Sequence, residues 1–457
     1  MRADDRPVVR LEVGDDFAAA VRAHPPGTTY VIAAGLHRGQ VVVPDRGDTF
    51  LGEPGAVVSG SVVLPTDGFR RNGSVWVLDG RTEWPFTHNG ALHGVTEEGA
   101  SRAASNHDLW WDDVRLDHVE TRGSVDASGE WYFDYDADQL VVFDDPSTAR
   151  DLELAVLEEF ISSEASDVTI RNLELERFAT PAQHGVIQAE GARWHISDVI
   201  IREAHGAGVS LDDRSILERA TVIGNGQLGV EATLGTDVVV RDSVIADNGQ
   251  LDYLWSWERG GLKFKETSGA VVQGNHVHGN RGPGIWFDLG NEDVLIDGNL
   301  VEGNTVAGIF YEISFSATIS DNVVLDNGRE EQLSNLGSGI FVSISSDVLV
   351  EGNETAGNHQ EIVAVHADRA EEIGPGYAVE RLVVRDNHVT LGRDGAVGLW
   401  VDTMESVFFS DRGNVFEDNT YVVDGCDRCF QWDNELMDYA AWQAAGNDLA
   451  GVLEEER

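Results

Sequence analysis

Two acidic residues stand at the same place in successive near-repeats of the chain. The segments N-R-G-P-G-I-W-F-D, ending at Asp288, and N-T-V-A-G-I-F-Y-E, ending at Glu312, share one pattern and lie 24 residues apart. Side chains of a strand alternate between faces, so if Ile285 and Phe287 point into a core, Trp286 and Asp288 point out; Ile309 and Tyr311 against Phe310 and Glu312 repeat the arrangement. Adjacent strands lie about 4.8 Å apart. Retaining glycosidases hold their two carboxyl groups about 5–5.5 Å apart and inverting ones about 6.5–9.5 Å, so the pattern predicts the retaining geometry. Carboxylates this close repel; one is expected to keep its proton and act as an acid while the other stays ionised as a nucleophile.

Extending the alignment to other repeats places Lys265 one repeat before Asp288, and Ser343, His366 and Asp402 after Glu312. Lys263 and Trp400 fall in the outward column of Trp286. Lys263 and Lys265 are the only lysines in the chain, and Lys265 is expected to be the cation beside Asp288 that favours its ionised form. Trp286, Phe310 and Trp400 are expected to offer flat apolar faces to sugar rings. Glu258, in WSWERGG, is a third candidate acid, and Asp212, in GVSLD, a further member of the acidic column. The plainer reading is that an outward polar column is a solvated face, since 25% of the chain is charged. The aromatics and both lysines gathered around the acid pair argue for chemistry there.

These side chains need a scaffold that stacks strands in register, and the asparagines describe one. Asn275/Asn280, Asn299/Asn304, Asn322/Asn327 and Asn353/Asn358 form pairs five positions apart, and equivalent members step by 24, 23 and 31 residues. Fixed periods of this size are the signature of a solenoid, here with coils of about 23 to 24 residues. Asn tolerates left-handed backbone angles at turns, and stacked Asn side chains can hydrogen-bond from coil to coil, so these ladders are assigned structure and no chemistry. The expected class is all-β: a single-stranded right-handed parallel β-helix with an inserted β-rich subdomain and helical end caps. An N-terminal cap and first coils occupy 1–65, with a short helix over 15–24 stopped by Pro25 and Pro26. Aromatic-rich hairpins at irregular spacing mark the insertion at 66–160, where a small packed core is preferred to a ligand cleft. Coils fill 161–425, and 426–457, partly helical around YAAWQAA, covers the open end.

Composition narrows the function classes. A formal charge of −48, from 80 acidic against 32 basic side chains, is expected of a chain working in high salt. It leaves nothing to neutralise phosphates, which argues against nucleic acid and anionic membranes as partners. Cys426 and Cys429 offer too few ligands for a zinc site and read as a local disulfide or two inert thiols. No stretch approaches the ~20 apolar residues of a membrane span, and the start has no apolar core of an export signal; a processed precursor would look the same.

The stretch from about 150 to 425 resembles the pectin-lyase-like, right-handed parallel β-helix superfamily. The segments GEWYFDYDADQLVVFDDP, GGLKF, GPGIWFD and GIFYEIS look like a group of bacterial and archaeal β-helix proteins. Their layout is also similar to the β-helix β-xylosidase family of glycoside hydrolases, where an Asp nucleophile and a Glu acid/base lie on successive coils. That resemblance implies Asp288 as nucleophile and Glu312 as acid/base. Three functions follow as expectations. The first is a retaining glycoside hydrolase on polysaccharide or oligosaccharide, with no cofactor. The second is a polysaccharide lyase or uronate epimerase, with Lys263 or Lys265 as base and Ca²⁺ held by Asp288, Glu312 and a neighbour. The third is a non-catalytic glycan-binding or surface solenoid.

Overall fold

The computed structural model describes residues 7–85, 95–329, 334–367, 374, 376–392, 395–403 and 405–455. They fall into two compact units: Met1–Ser210 with Val222–Gly229 and Gly249–Arg259, and Leu211–Thr221 with Val230–Asn248 and Gly260–Arg457.

In the first unit the helix Phe17–Ala23 is capped by Asp16, whose carboxylate accepts the Ala19 N–H at 2.8 Å, and it buries Phe17 and Val21. Coils follow as parallel strands. Val8–Leu11 pairs with Thr29–Ile32, which pairs with Thr49–Gly52. The next partner of Thr49–Gly52 is Thr169–Arg171, and Ala56–Ser59 likewise pairs with Glu174–Glu176. Consecutive coils thus close on each other while the chain between them departs. The departing segment is antiparallel: Ser61–Val63 pairs with Leu152–Ala155, and Glu130–Asp134 with Gln139–Val142. Alternate residues of these hairpins, among them Trp131, Phe133, Leu140 and Leu154, meet in one apolar cluster. The aromatics there are core, as their period-2 spacing dictates.

The second unit contains three parallel sheets, each taking one strand per coil. Val271↔Leu295, Val277↔Val301 and Phe287↔Tyr311 show the coils in register in all three. Buried Val, Ile and Phe fill the interior. Its last strand, Val452–Glu455, pairs with Thr420–Val423. The helix Tyr439–Ala444, capped by Asp438, lays the buried Trp442 against Phe416 and Phe430 at 5.1 and 5.4 Å between ring centres. Cys426 and Cys429 are joined as a disulfide. Among the described residues the helices are three and short.

The asparagines form two ladders inside this unit. Asn299 Nδ2 donates to Asn322 Oδ1 at 2.9 Å and to the Val272 carbonyl at 2.9 Å, while Asn322 Oδ1 also accepts the Asn299 N–H. The same three bonds recur at Asn322, Asn353 and Asn387. One expectation is corrected. The asparagines do not take left-handed angles; the residue before each does, as at Gly274, Gly298, Asp321, Gly352 and Asp386. That turn swings the amide inward, where it satisfies buried backbone groups.

Both ladders end in a carboxyl group whose oxygens accept the N–H and Nδ2 of the last asparagine. Asn419 gives its N–H and Nδ2 to Asp448 Oδ1, and Tyr421 and Trp442 give theirs to Oδ2. The other ladder ends at Asn358, whose Nδ2 donates to the fully buried Glu361 at 2.7 Å. Burial pushes the Glu361 carboxyl up to about 7, with the bonds from Asn358 opposing it. An unfolded Glu titrates near 4.3, so the folded state holds a proton that the unfolded chain releases between those values. The stabilisation is full below that window and lost as pH rises through the folded value. Between pH 5 and 8 the wild type should lose roughly 2–3 kcal/mol more unfolding free energy than Glu361→Gln. Urea titrations of both proteins measure this, and parallel pH profiles would refute it.

Candidate functional site

The strands Gly260–Lys265, Ile285–Asp288, Ile309–Glu312 and Ser338–Ser343 are consecutive neighbours in one sheet of the second unit. Asp288 pairs directly with Glu312, and the column reads Lys265, Asp288, Glu312, Ser343. Lys263, Trp286, Phe310 and Phe341 form the column two residues earlier on the same face.

Side-chain contacts tie the two columns together. Lys263 Nζ lies 2.9 Å from Asp288 Oδ2 and 3.4 Å from the centre of the Trp286 ring. The ammonium therefore has a carboxylate and an aromatic face together, which offsets the cost of burying it. Trp286 donates its indole N–H to Glu312 Oε1 at 3.0 Å and stacks on Phe310, with ring centres 5.6 Å apart and planes within 10°. Asp288 keeps 19% of its side chain exposed against 4% for Lys263, and Glu312 is also 4% exposed. Asp288 is thus more accessible than either Lys263 or Glu312.

Five expectations need correction. The ion partner of Asp288 is Lys263, reached diagonally, although Lys265 is its register neighbour; a long lysine stem spans the offset. Trp286 and Phe310 are not open platforms. They are 4% and 2% exposed and pack with Phe341, Val363 and Val365 in an apolar cluster. His366 leaves the acidic column, because Ser343 pairs with Val365. Ile362 follows Asn358 by four residues, whereas Ile285 and Ile309 follow Asn280 and Asn304 by five. A shift of one residue sends a side chain to the opposite face. His366 accordingly lies against Phe408 at 3.8 Å between ring centres, and burial holds its pKa below the ordinary imidazole value. A further one-residue offset at the next strand makes the displacement of Trp400 two positions, which keeps it on the same face but moves it into the column of the acid pair, opposite Val365. Asp402 lies beyond that strand and accepts the Trp400 indole N–H at 2.8 Å.

Glu258 belongs to the first unit, where it ends the turn Trp255–Trp257 in a left-handed conformation and accepts from Gln183. Asp212 follows the strand Ala207–Leu211, accepts the Asp213 N–H at 2.7 Å, and has its pKa raised by burial. Among the described residues no three His, Cys, Asp or Glu side chains converge where they could hold a metal ion.

A family model described as the right handed beta helix region matches residues 184–355. The chain is a right-handed parallel β-helix. Solved structures with this fold include XylC with xylose, at 12% identity and TM-score 0.59, covering 96% of this chain and 82% of that one. The A-module of the Azotobacter vinelandii mannuronan C-5 epimerase AlgE6 gives 13% and 0.59, covering 97% and 96%. A glycoside hydrolase gives 10% and 0.51, covering 97% and 99%. No curated protein matches this β-helix in sequence.

The bond between Trp286 and Glu312 is open to measurement. A double-mutant cycle of Trp286→Phe with Glu312→Ala should return a coupling of about 1–3 kcal/mol in unfolding free energy. Additive losses would show that the indole N–H does not hold the carboxylate.

Proposed function

We propose that this β-helix is a carbohydrate-active enzyme, a retaining glycoside hydrolase with Asp288 as nucleophile and Glu312 as acid/base. The observation that carries the reading is the direct register pairing of Asp288 with Glu312 on one face, at a strand separation of about 4.8 Å that suits the retaining arrangement. Lys263 engages Asp288 Oδ2 and leaves Oδ1 as the attacking oxygen.

In the first step Oδ1 bonds to the anomeric carbon as the glycosidic C–O bond breaks, and Glu312 passes its proton to the leaving oxygen. In the second, Glu312 takes a proton from water, the water oxygen bonds to the anomeric carbon, and Asp288 is released as carboxylate. Trp286 positions Glu312 through its indole N–H. Trp400, half-buried in the column of the acid pair with its N–H held by Asp402, is the aromatic placed to meet a more remote sugar. Lys265, beside Asp288 in register, is assigned to binding the same sugar. The hydrolase and epimerase among the structures of like fold agree with a carbohydrate substrate.

A panel of aryl glycosides tests the assignment. Asp288→Asn, in a protein that still folds but with a lowered unfolding midpoint because buried Lys263 loses its counter-ion, should lower turnover on the order of 10³-fold. Glu312→Gln should do the same for poor leaving groups, keep most activity on activated ones, and be rescued by azide as a glycosyl azide of retained configuration. Inverted products, unsaturated sugars, or full activity of either variant would sink the assignment.

A further inference from the structure

The first unit carries an open cavity of about 720 Å³ that none of the acid-pair residues lines. We infer that it is a separate binding site for a neutral, hydroxyl-rich ligand, a short oligosaccharide. Its lining comes from the antiparallel insertion, with Arg102, Asp108, Arg115 and Glu120, and from the coils, with Glu203 and His205. The volume lies within the usual ~300–1,000 Å³ of small-molecule sites.

The polar groups are fixed before any ligand arrives. Buried Asp108 meets His205 Nδ1 at 3.1 Å, and the opposite ring nitrogen of His205 lies 2.7 Å from the Ala103 carbonyl. Glu120 accepts from the Ser101 hydroxyl and, at 3.3 Å, from the Arg102 N–H. Glu203 is held by buried Arg177 at 2.9 Å. Arg102 donates to the Tyr132 hydroxyl at 2.9 Å and lies 4.6 Å above the centre of that ring. Such restraint lowers the ordering cost of binding.

The charges select the ligand class. Five carboxylates face two guanidiniums around the cavity, so an anionic ligand such as a uronate or phosphate ester meets excess like charge. A cationic one finds three of those carboxylates already bonded, Asp108 to His205, Glu203 to Arg177, and Glu120 to Ser101 and the Arg102 N–H, and among the described residues no three potential ligands converge on a metal. A neutral group that both donates and accepts hydrogen bonds matches carboxylates and guanidiniums together. Sugar hydroxyls have that property. This inference does not rest on the hydrolase reading, since the cavity belongs wholly to the first unit and the acid pair to the second.

Isothermal titration of the full chain carrying both Asp288→Asn and Glu312→Gln keeps the two ideas apart. The probes are the neutral trisaccharides xylotriose, cellotriose and maltotriose, with trigalacturonate and the trimer of glucosamine as charged comparators. At least one neutral trisaccharide should bind saturably at one site, at least tenfold more tightly than either charged one. Adding Glu120→Gln should weaken it about tenfold, the loss of one charge-assisted hydrogen bond. Asp117→Asn, at an exposed position of the rim, serves if the first variant has a lowered unfolding midpoint, and is expected to weaken binding at least threefold. No binding by the neutral probes, preference for a charged one, or affinity unmoved by a folded variant would overturn the inference.

Discussion

The amide-to-amide hydrogen bond between coils is the constraint on which the second unit depends. Each inward Asn uses its oxygen for two donors of the preceding coil and its NH₂ for a carbonyl behind and an oxygen ahead. A buried amide left half-satisfied costs more than a satisfied one contributes, so neighbouring coils are driven to the one offset that completes the set. Strand register in the sheets follows from that offset. The facing of Asp288 with Glu312 is therefore set by asparagines at the turns as much as by the strands that carry the acids.

Much of this was legible because stacking converts sequence period into spatial adjacency. The 24-residue step between Asp288 and Glu312 translated directly into paired positions. Reading failed where the period changed. Ile362, Val363, Ala364 and Val365 are all apolar, so alternation gave no sign that the turn before them is a residue shorter; His366 was assigned to the wrong face and Trp400 to the wrong column of the right one. It failed again where a side chain reaches diagonally: register names Lys265 as the neighbour of Asp288, whereas the flexible stem of Lys263 makes the contact. Burial of Trp286 and Phe310 was beyond reach for another reason, since alternation tells which side of a sheet a ring occupies and not what else packs there. The cavity of the first unit draws residues from 99 to 252, a range over which no repeat links the insertion to the coils.

The large negative charge is handled locally. Arg381 grips Asp347, Arg385 grips Glu351, and Arg241 grips Glu218, each from the next coil along. Such exposed pairs are individually worth about 0–1 kcal/mol. Their regular placement interrupts the columns of like charge that identical coils would otherwise stack. Arginine suits this work, because its planar fork holds a carboxylate in a fixed orientation. The two lysines occupy the one sheet where the acid pair lies.

The carboxylate at the end of each asparagine ladder gives the stack a direction. An internal rung presents an acceptor to one side and a donor to the other, so rungs of this kind are interchangeable and another could be inserted without altering those around it. Asp448 accepts only, and Glu361 spends both oxygens on the two donors of Asn358, so nothing can be threaded beyond them in the same bonding pattern. A lineage building on this architecture can thus lengthen it by duplication in the middle but must carry the same terminus along, and two groups one rung apart would be separated in increments of one strand spacing each time.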